Sequence, residues 1–336
     1  MNVKPAPVGP APVSVTMDLE DHRPSPTWEV RYPAHAREFL DFCEARGLTA
    51  TIFVVGRVAE RSPELVREIA ERGHEIGVHN YEHWPLFSST PAWLREHVGR
   101  TKAFVEDLIG APVHGFRAPA GTLIPRSFWA TEVLAELGFT YSASVLPFQT
   151  YGVGFPGCPR VPFRWPSGLI EAPCPGVGIG PVGMPFMGGT FLRVFPRRLS
   201  RRWADRVEQG AAPWTYLHPY DLDVMEPFWV VHDVALWGSV LLWINRGQML
   251  SKLDAVLAGR AAAPLGERLA TLDAAGAIDA FDPSELLAAD GPKQGADSIA
   301  DRGRRFLQKS HKVEAWSVPP HLRDPPSSAP AEAFVA

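Results

Sequence analysis

Four short clusters carry the residues most able to do chemistry: "TMDLEDH" (16–22), "HNYEH" (79–83), "FRAPAG" (116–121) and "LHPYDLD" (217–223). The pair His79 and His83 stands four residues apart. On a helix the two would share one face and could grip one metal ion. The stretch "HEIGVHN" before and through the pair reads instead as a short strand, so the histidines fall at its end and on the loop beyond. Two imidazoles and one carboxylate suffice to hold a divalent ion with positions left open for water and substrate. The acids Asp18, Glu20 and Asp21 are the carboxylates at hand. Arg117 and His218 add a cation that could pair with a carboxylate base and an imidazole able to protonate a poor leaving group. His22 and His74 are polar residues near the same rim without an evident role.

The elements around these clusters are legible from periodicity. "VSVTMDL" (13–19), "LTATIFVVG" (48–56) and "HEIGVHN" (74–80) read as buried strands. "PAHAREFLDFCEARG" (33–47), "SPELVREIAERG" (62–73), "TPAWLREHVGRTKAFVEDLIG" (90–110) and "SFWATEVLAELG" (127–138) read as helices, the second with Ser62 as a cap and Pro63 in its first turn. Such alternation predicts a parallel α/β sheet or barrel. All four clusters then fall at the C-terminal ends of strands, the rim where active sites assemble. Residues 146–190 are rich in Gly and Pro and read as a long irregular excursion. "PWTYLHPYDLD" (213–223) returns to strand character, and "RGQMLSKLDAVLAG" (246–259) reads as a closing helix. The expected organisation is a flexible arm over 1–12, one domain over 13–259, and a partly disordered tail from 260.

With 336 residues, 46% hydrophobic and 21% charged, the chain has the composition of a globular protein with a sizeable core. A net charge of -4 argues against broad electrostatic affinity for nucleic acid or anionic membrane. Three cysteines do not make a disulfide framework; Cys158 and Cys174 are the only pairing considered, and reduced thiols are expected. The first residues lack the apolar core of a signal peptide, which predicts a cytoplasmic protein. The apolar window "FWVVHDVALWGSVLLWIN" (228–245) is interrupted by His232 and Asp233 and is read as a buried helix rather than a membrane span. Trp28, Trp84, Trp129 and Trp165 near the rim could stack on sugar rings or simply pack in the core.

In order and content the four clusters resemble the polysaccharide deacetylase family, also called the NodB-homology family or carbohydrate esterase family 4. Within it they resemble the branch whose first motif is D-x-E-D. The resemblance covers roughly residues 13–225. It implies a single-domain distorted parallel (β/α) barrel and a metal-dependent hydrolase that removes N-acetyl groups from an acetylated sugar or polysaccharide precursor, using one divalent ion, most simply Zn2+. It also implies that His79 and His83 bind the metal, that Arg117 orients the base, and that His218 protonates the leaving amine. Asp221 and Asp223 could orient His218. The carboxylate roles are less direct, because Asp18, Glu20 and Asp21 compete. Strand alternation sends Asp18 and Glu20 to one face and Asp21 to the other, although a strand end need not keep alternating. The assignment adopted is Asp18 as base and Asp21 as metal ligand, with Glu20 in contention for either place. Ser142, in "YSAS", stands where this branch usually has an aspartate. Two other readings remain: allantoinase-like hydrolysis of a small cyclic amide, and a catalytically idle carbohydrate-binding relative.

Overall fold

The computed structural model describes residues 10–289, apart from 151–152, 180, 208 and 232–235. The chain alternates as read. Strands β1 (Val15–Leu19), β2 (Ala50–Val54), β3 (Glu75–Val78), β4 (Gly115–Phe116) and β5 (Tyr141–Ser142) are separated by helices α1 (Tyr32–Glu44), α2 (Gly56–Arg61) with α3 (Pro63–Glu71), α4 (Pro91–Ile109), and α5 (Ala130–Glu136). These five strands pair in sequence order, all parallel. The excursion after residue 145 is not irregular throughout. It supplies β6 (Phe163–Arg164) and β7 (Ile170–Glu171), the latter parallel to β5, and a hairpin of β8 (Gly176–Ile179) and β9 (Val182–Pro185). Helices α6 (Gly189–Val194) and α7 (Arg197–Ala204) follow. Residues 213–217 then run beside β1 on its free side, through Ser14 N–H to the Pro213 carbonyl and Asp18 N–H to the Leu217 carbonyl. The Trp214 indole N–H reaches the Ala172 carbonyl beyond β7, 3.1 Å away, and this contact closes the ring into a distorted parallel (β/α) barrel.

Two apolar layers follow from strand alternation. Val15, Met17 and Leu19 face outward and pack under the helices with Phe39, Leu65 and Val98. Phe53, Tyr141, Ile170 and Trp214 fill the interior. Gly77 is required on β3, because a Cβ there would stand 2.6 Å from the Phe53 ring. The helix signals hold in part. Thr90 caps α4 through Trp93 N–H, and Gly110 ends it in the left-handed region. Ser62, expected as a cap, bonds the Tyr32 hydroxyl instead.

Three expectations are corrected. Ala11 and Val13 are buried, so the arm stops short of residue 12; residues 1–9 lie outside the described residues. Residues 261–289 are folded: α8 (Leu236–Trp243) and α9 (Met249–Leu257) are followed by α10 (Leu265–Ala274), β10 (Asp279–Ala280), which pairs with β6, and α11 (Ser284–Ala289). The first turn of α10 plugs the barrel at the end opposite the rim, with Leu265 N–H on Thr51 Oγ1 and Gly266 N–H on Glu75. Helix α10 was missed because its Ala- and Gly-rich surroundings hide two buried leucines, Leu265 and Leu269. The tail from 290 lies outside the described residues. Third, the apolar window at 228–245 is not a buried helix: α8 is short and exposes Leu236, Trp237 and Val240. Among the described residues no helix is long and apolar enough to cross a membrane. All three cysteines are free and buried.

Candidate active site

The alternation of β1 continues one residue past its end, and this decides which acids meet the histidines. Asp18 and Glu20 point inward. Asp21 points outward, where Arg23 holds it at 2.7 Å and Arg61 at 3.2 Å. The expectation that Asp21 ligates a metal is therefore corrected, and Glu20 stands in its place. Among the described residues one group of donors could hold a metal ion: Glu20, His79 and His83, with ligand atoms all within 4.8 Å of one another. Glu20 Oε2 lies 2.8 Å from His83 Nε2. His79 Nδ1 meets the Arg117 carbonyl at 2.9 Å, an arrangement that turns Nε2 toward the cavity. Two imidazole nitrogens and one carboxylate oxygen are a suitable donor set for a borderline divalent ion, so the residues fit.

The loop between the histidines is set by Asn80, which adopts the left-handed conformation (φ 63). Its buried amide closes the turn on both sides, accepting from Tyr81 N–H and donating to the Trp84 carbonyl. Asn tolerates this backbone better than most residues. Sequence reading passed over it, although an Asn directly after a strand end is a recognisable turn signal.

Beside this group lies the Asp18–Arg117 pair. Asp18 Oδ1 accepts from Arg117 at 2.6 Å, and the same guanidinium nitrogen donates to Thr16 Oγ1. The guanidinium is clamped between the Phe53 and Trp214 rings, 4.1 Å from each centroid. Asp18 Oδ2 is left facing the cavity, 3.9 Å from both His79 Nε2 and His218 Nε2. Burial alone would raise the Asp18 carboxyl, but Arg117 foremost, with His79 and His218, holds it below its ordinary value. Glu20 is likewise lowered against its burial, by His83 and His218. Burial pushes His79 down to about 4, so its imidazole is neutral.

His218 is built differently. Its Nδ1 and its backbone N–H both meet Asp221 Oδ2, at 2.8 and 2.9 Å. The other Asp221 oxygen faces Arg193, fully buried on α6, at 2.8 Å. The chain Arg193–Asp221–His218 thus fixes the ring with Nε2 toward the cavity. Burial would lower His218, but Glu20, Asp221 and Asp18 outweigh it and raise it. Asp223, the other residue considered for orienting His218, pairs with Arg31 instead. Arg193 was not legible in the sequence, since nothing near "FLRVF" marks a contact with residue 221.

These groups open on one cavity of about 400 Å³. Its walls include Trp214, Tyr216, Tyr220, Trp229 and Val231, all from the second half of the chain. The four tryptophans weighed as sugar platforms are elsewhere: Trp84 stacks on Trp93, Trp165 sits in an aromatic cluster, Trp129 packs against the core, and Trp28 lies at a separate shallow site. His22, without a role in the sequence, lines the cavity with its ring on Tyr220 (4.4 Å between centroids). His74 is structural, with Nδ1 accepting from Ala50 N–H. Below Ser142, the Glu171 carboxylate accepts from Ser144 N–H and Val145 N–H and braces the cavity floor.

A parallel barrel that collects acids, imidazoles and an arginine at the C-terminal ends of its strands has the layout of an enzyme of the α/β-barrel class. Comparison with known proteins gives the family. Residues 17–142 match the model for polysaccharide deacetylase, and residues 143–263 match the model for a domain of unknown function, DUF3473. Among curated proteins, a peptidoglycan-N-acetylglucosamine deacetylase of Bacillus cereus is 32% identical over 144 residues, covering 40% of this chain and 52% of that protein. A chitooligosaccharide deacetylase of Bradyrhizobium sp. is 30% identical over 100 residues, covering 29% of this chain and 42% of its own. The chain thus spans about half the length of the Bacillus relative, 52%. A solved structure from Mycobacterium smegmatis, provisionally named a polysaccharide deacetylase, shares the fold at a TM-score of 0.56 and 19% identity, over 82% of this chain and 95% of that one. Residues 17–142 thus form a polysaccharide deacetylase domain, the part of the chain that carries Asp18, Glu20, His79, His83 and Arg117.

Proposed function

We propose that the protein is a metal-dependent N-deacetylase acting on acetylated amino sugars in a polysaccharide or its oligosaccharide precursor. The observation that carries this reading is the convergence on one cavity of a carboxylate base with its arginine, a three-donor metal group and an aspartate-held histidine. The names of the Bacillus and Bradyrhizobium relatives support the substrate class. Glu20, His79 and His83 would hold one divalent ion, for which zinc suits the donor set. Such an ion, when bound, supplies Lewis acidity toward the amide carbonyl.

The chain's own groups account for the proton transfers. Asp18 is kept ionised by Arg117 and oriented through Oδ1, which leaves Oδ2 to take the proton of the attacking water. The water oxygen bonds to the carbonyl carbon, the carbon–nitrogen bond breaks, and His218 Nε2 gives its proton to the departing nitrogen. Acetate and a free amine result. Asp221 on Nδ1 stabilises the charged imidazole that precedes this transfer. Thr16 and the two aromatic rings hold Arg117 in place. The intact Asp18–Arg117 and His218–Asp221 pairs speak against the idle reading, and the intact histidine pair speaks against a metal-free amidase.

Acetate release from N-acetylated chitooligosaccharides or peptidoglycan fragments tests this. Release that stops with a chelator and returns with added zinc is the expected outcome. Turnover indifferent to chelation would overturn the metal-dependent reading.

A further inference from the structure

The cavity wall has two faces. Over 228–231 the side chains alternate: Trp229 and Val231 line the cavity, whereas Phe228 and Val230 are exposed. The outward face continues through Met225 at 75% exposure and across α8, where Trp237 is 68% exposed and Leu236 and Val240 stand beside it. No Asp, Glu, Lys or Arg occurs in α8, and Ser239 is its one buried residue. So large a run of exposed apolar side chains marks a surface that meets a partner.

A second feature lies next to it. The Arg193 guanidinium near the end of α6 donates to the Ile244 carbonyl just past α8, at 2.8 Å, and α7 begins at Arg197. Helix α7 exposes Arg197, Arg198, Arg201 and Arg202. None of the four has an acidic partner among the described residues. Two nearby acids among the described residues are already paired, Asp205 with Arg260 and Asp254 with Arg46. A chain of net charge -4 therefore carries a local cationic helix that packs on α9 and starts just after Arg193, the residue that touches the end of α8. Apolar side chains that enter the headgroup boundary, flanked by arginines that meet anionic headgroups, are the chemistry of an interfacial membrane contact.

We propose that the apolar face of Met225, Phe228, Val230, Leu236, Trp237 and Val240 docks the protein, together with α7, on a bilayer surface rich in anionic lipid, with Trp229 and Val231 placing the mouth of the cavity beside that surface. The occupant is a lipid bilayer, not a spanning segment, and the docking does not depend on which reaction the cavity performs. The test is flotation of the full chain with vesicles of phosphatidylcholine alone or mixed with phosphatidylglycerol. Binding to the mixed vesicles alone, weakened by salt, is expected. Leu236→Ser with Trp237→Ser, and separately Arg198→Glu with Arg201→Glu, should each weaken binding about tenfold or more while thermal melting is unchanged. No flotation of the wild-type chain, or flotation untouched by both variants, overturns the proposal. Self-association abolished by the Trp237 variant without vesicle binding would assign the face to a second copy and overturn it equally.

Discussion

Replacing Arg117 by Met would remove the charge that keeps Asp18 ionised while retaining an apolar side chain between Phe53 and Trp214. With the charge centres about 4 Å apart, the lost attraction is roughly 4 kcal/mol at an effective dielectric of 20. A net charge-assisted hydrogen bond is worth less, about 1.5–3 kcal/mol, once hydration is allowed for. Near neutral pH, kcat/KM should therefore fall about 10- to 100-fold. The sign for pH is definite. Asp18 is held below its ordinary value in the native protein, with Arg117 the leading cause, so the base is ionised throughout the neutral range. Without Arg117 burial prevails, the carboxyl rises, and the ascending acidic limb of the kcat/KM profile moves to higher pH. Arg117→Lys keeps a cation but not the clamped fork, so it should lose rate while leaving the limb nearer its original place. The assay is acetate release against pH, with thermal melting as the check on folding. A uniform loss at every pH, with the limb unmoved in the Met variant, would refute Asp18 as the base kept ionised by Arg117.

Three further variants test the geometry. Asp221→Ala removes a carboxylate that raises His218, so the descending alkaline limb of the profile should shift to lower pH, measured in the same assay. That variant also leaves Arg193 buried without its partner and should cost about 3–5 kcal/mol of stability in chemical denaturation. Asn80→Ala leaves in the left-handed turn a residue less suited to it than Asn and removes both amide bonds that close it; zinc affinity should drop about tenfold or more by competition with a chromophoric chelator. Leu265→Ala hollows the plug at the barrel's lower end and should destabilise the fold by about 2–5 kcal/mol, read from denaturant midpoints, with the metal site intact.

The parallel barrel and the four clusters at its rim were legible because each rests on local signals: period-2 apolar strands, capped helices, and polar residues directly after strands. Asp21 was misread through an open question of alternation. The strand's pleat persists one residue past Leu19, carrying Glu20 inward and giving Asp21 to Arg23 and Arg61. What stayed hidden depends on partners far along the chain. Arg193 matters only because α6 brings it to Asp221, and Glu171 only because β7 lies beside β5. Trp214 could not be told from a core residue until it closed on Arg117 opposite Phe53. Helix α10 lacked a strong apolar stripe because it needs only two leucines to seal the barrel.

The central claim is that Glu20, and not Asp21, completes the metal group with His79 and His83. Metal content after zinc loading and gel filtration, compared for the wild type, Glu20→Gln and Asp21→Asn, tests it directly. The account predicts about one ion per chain in the wild type and in Asp21→Asn, and loss of the ion in Glu20→Gln. Retention by Glu20→Gln with loss in Asp21→Asn would contradict it.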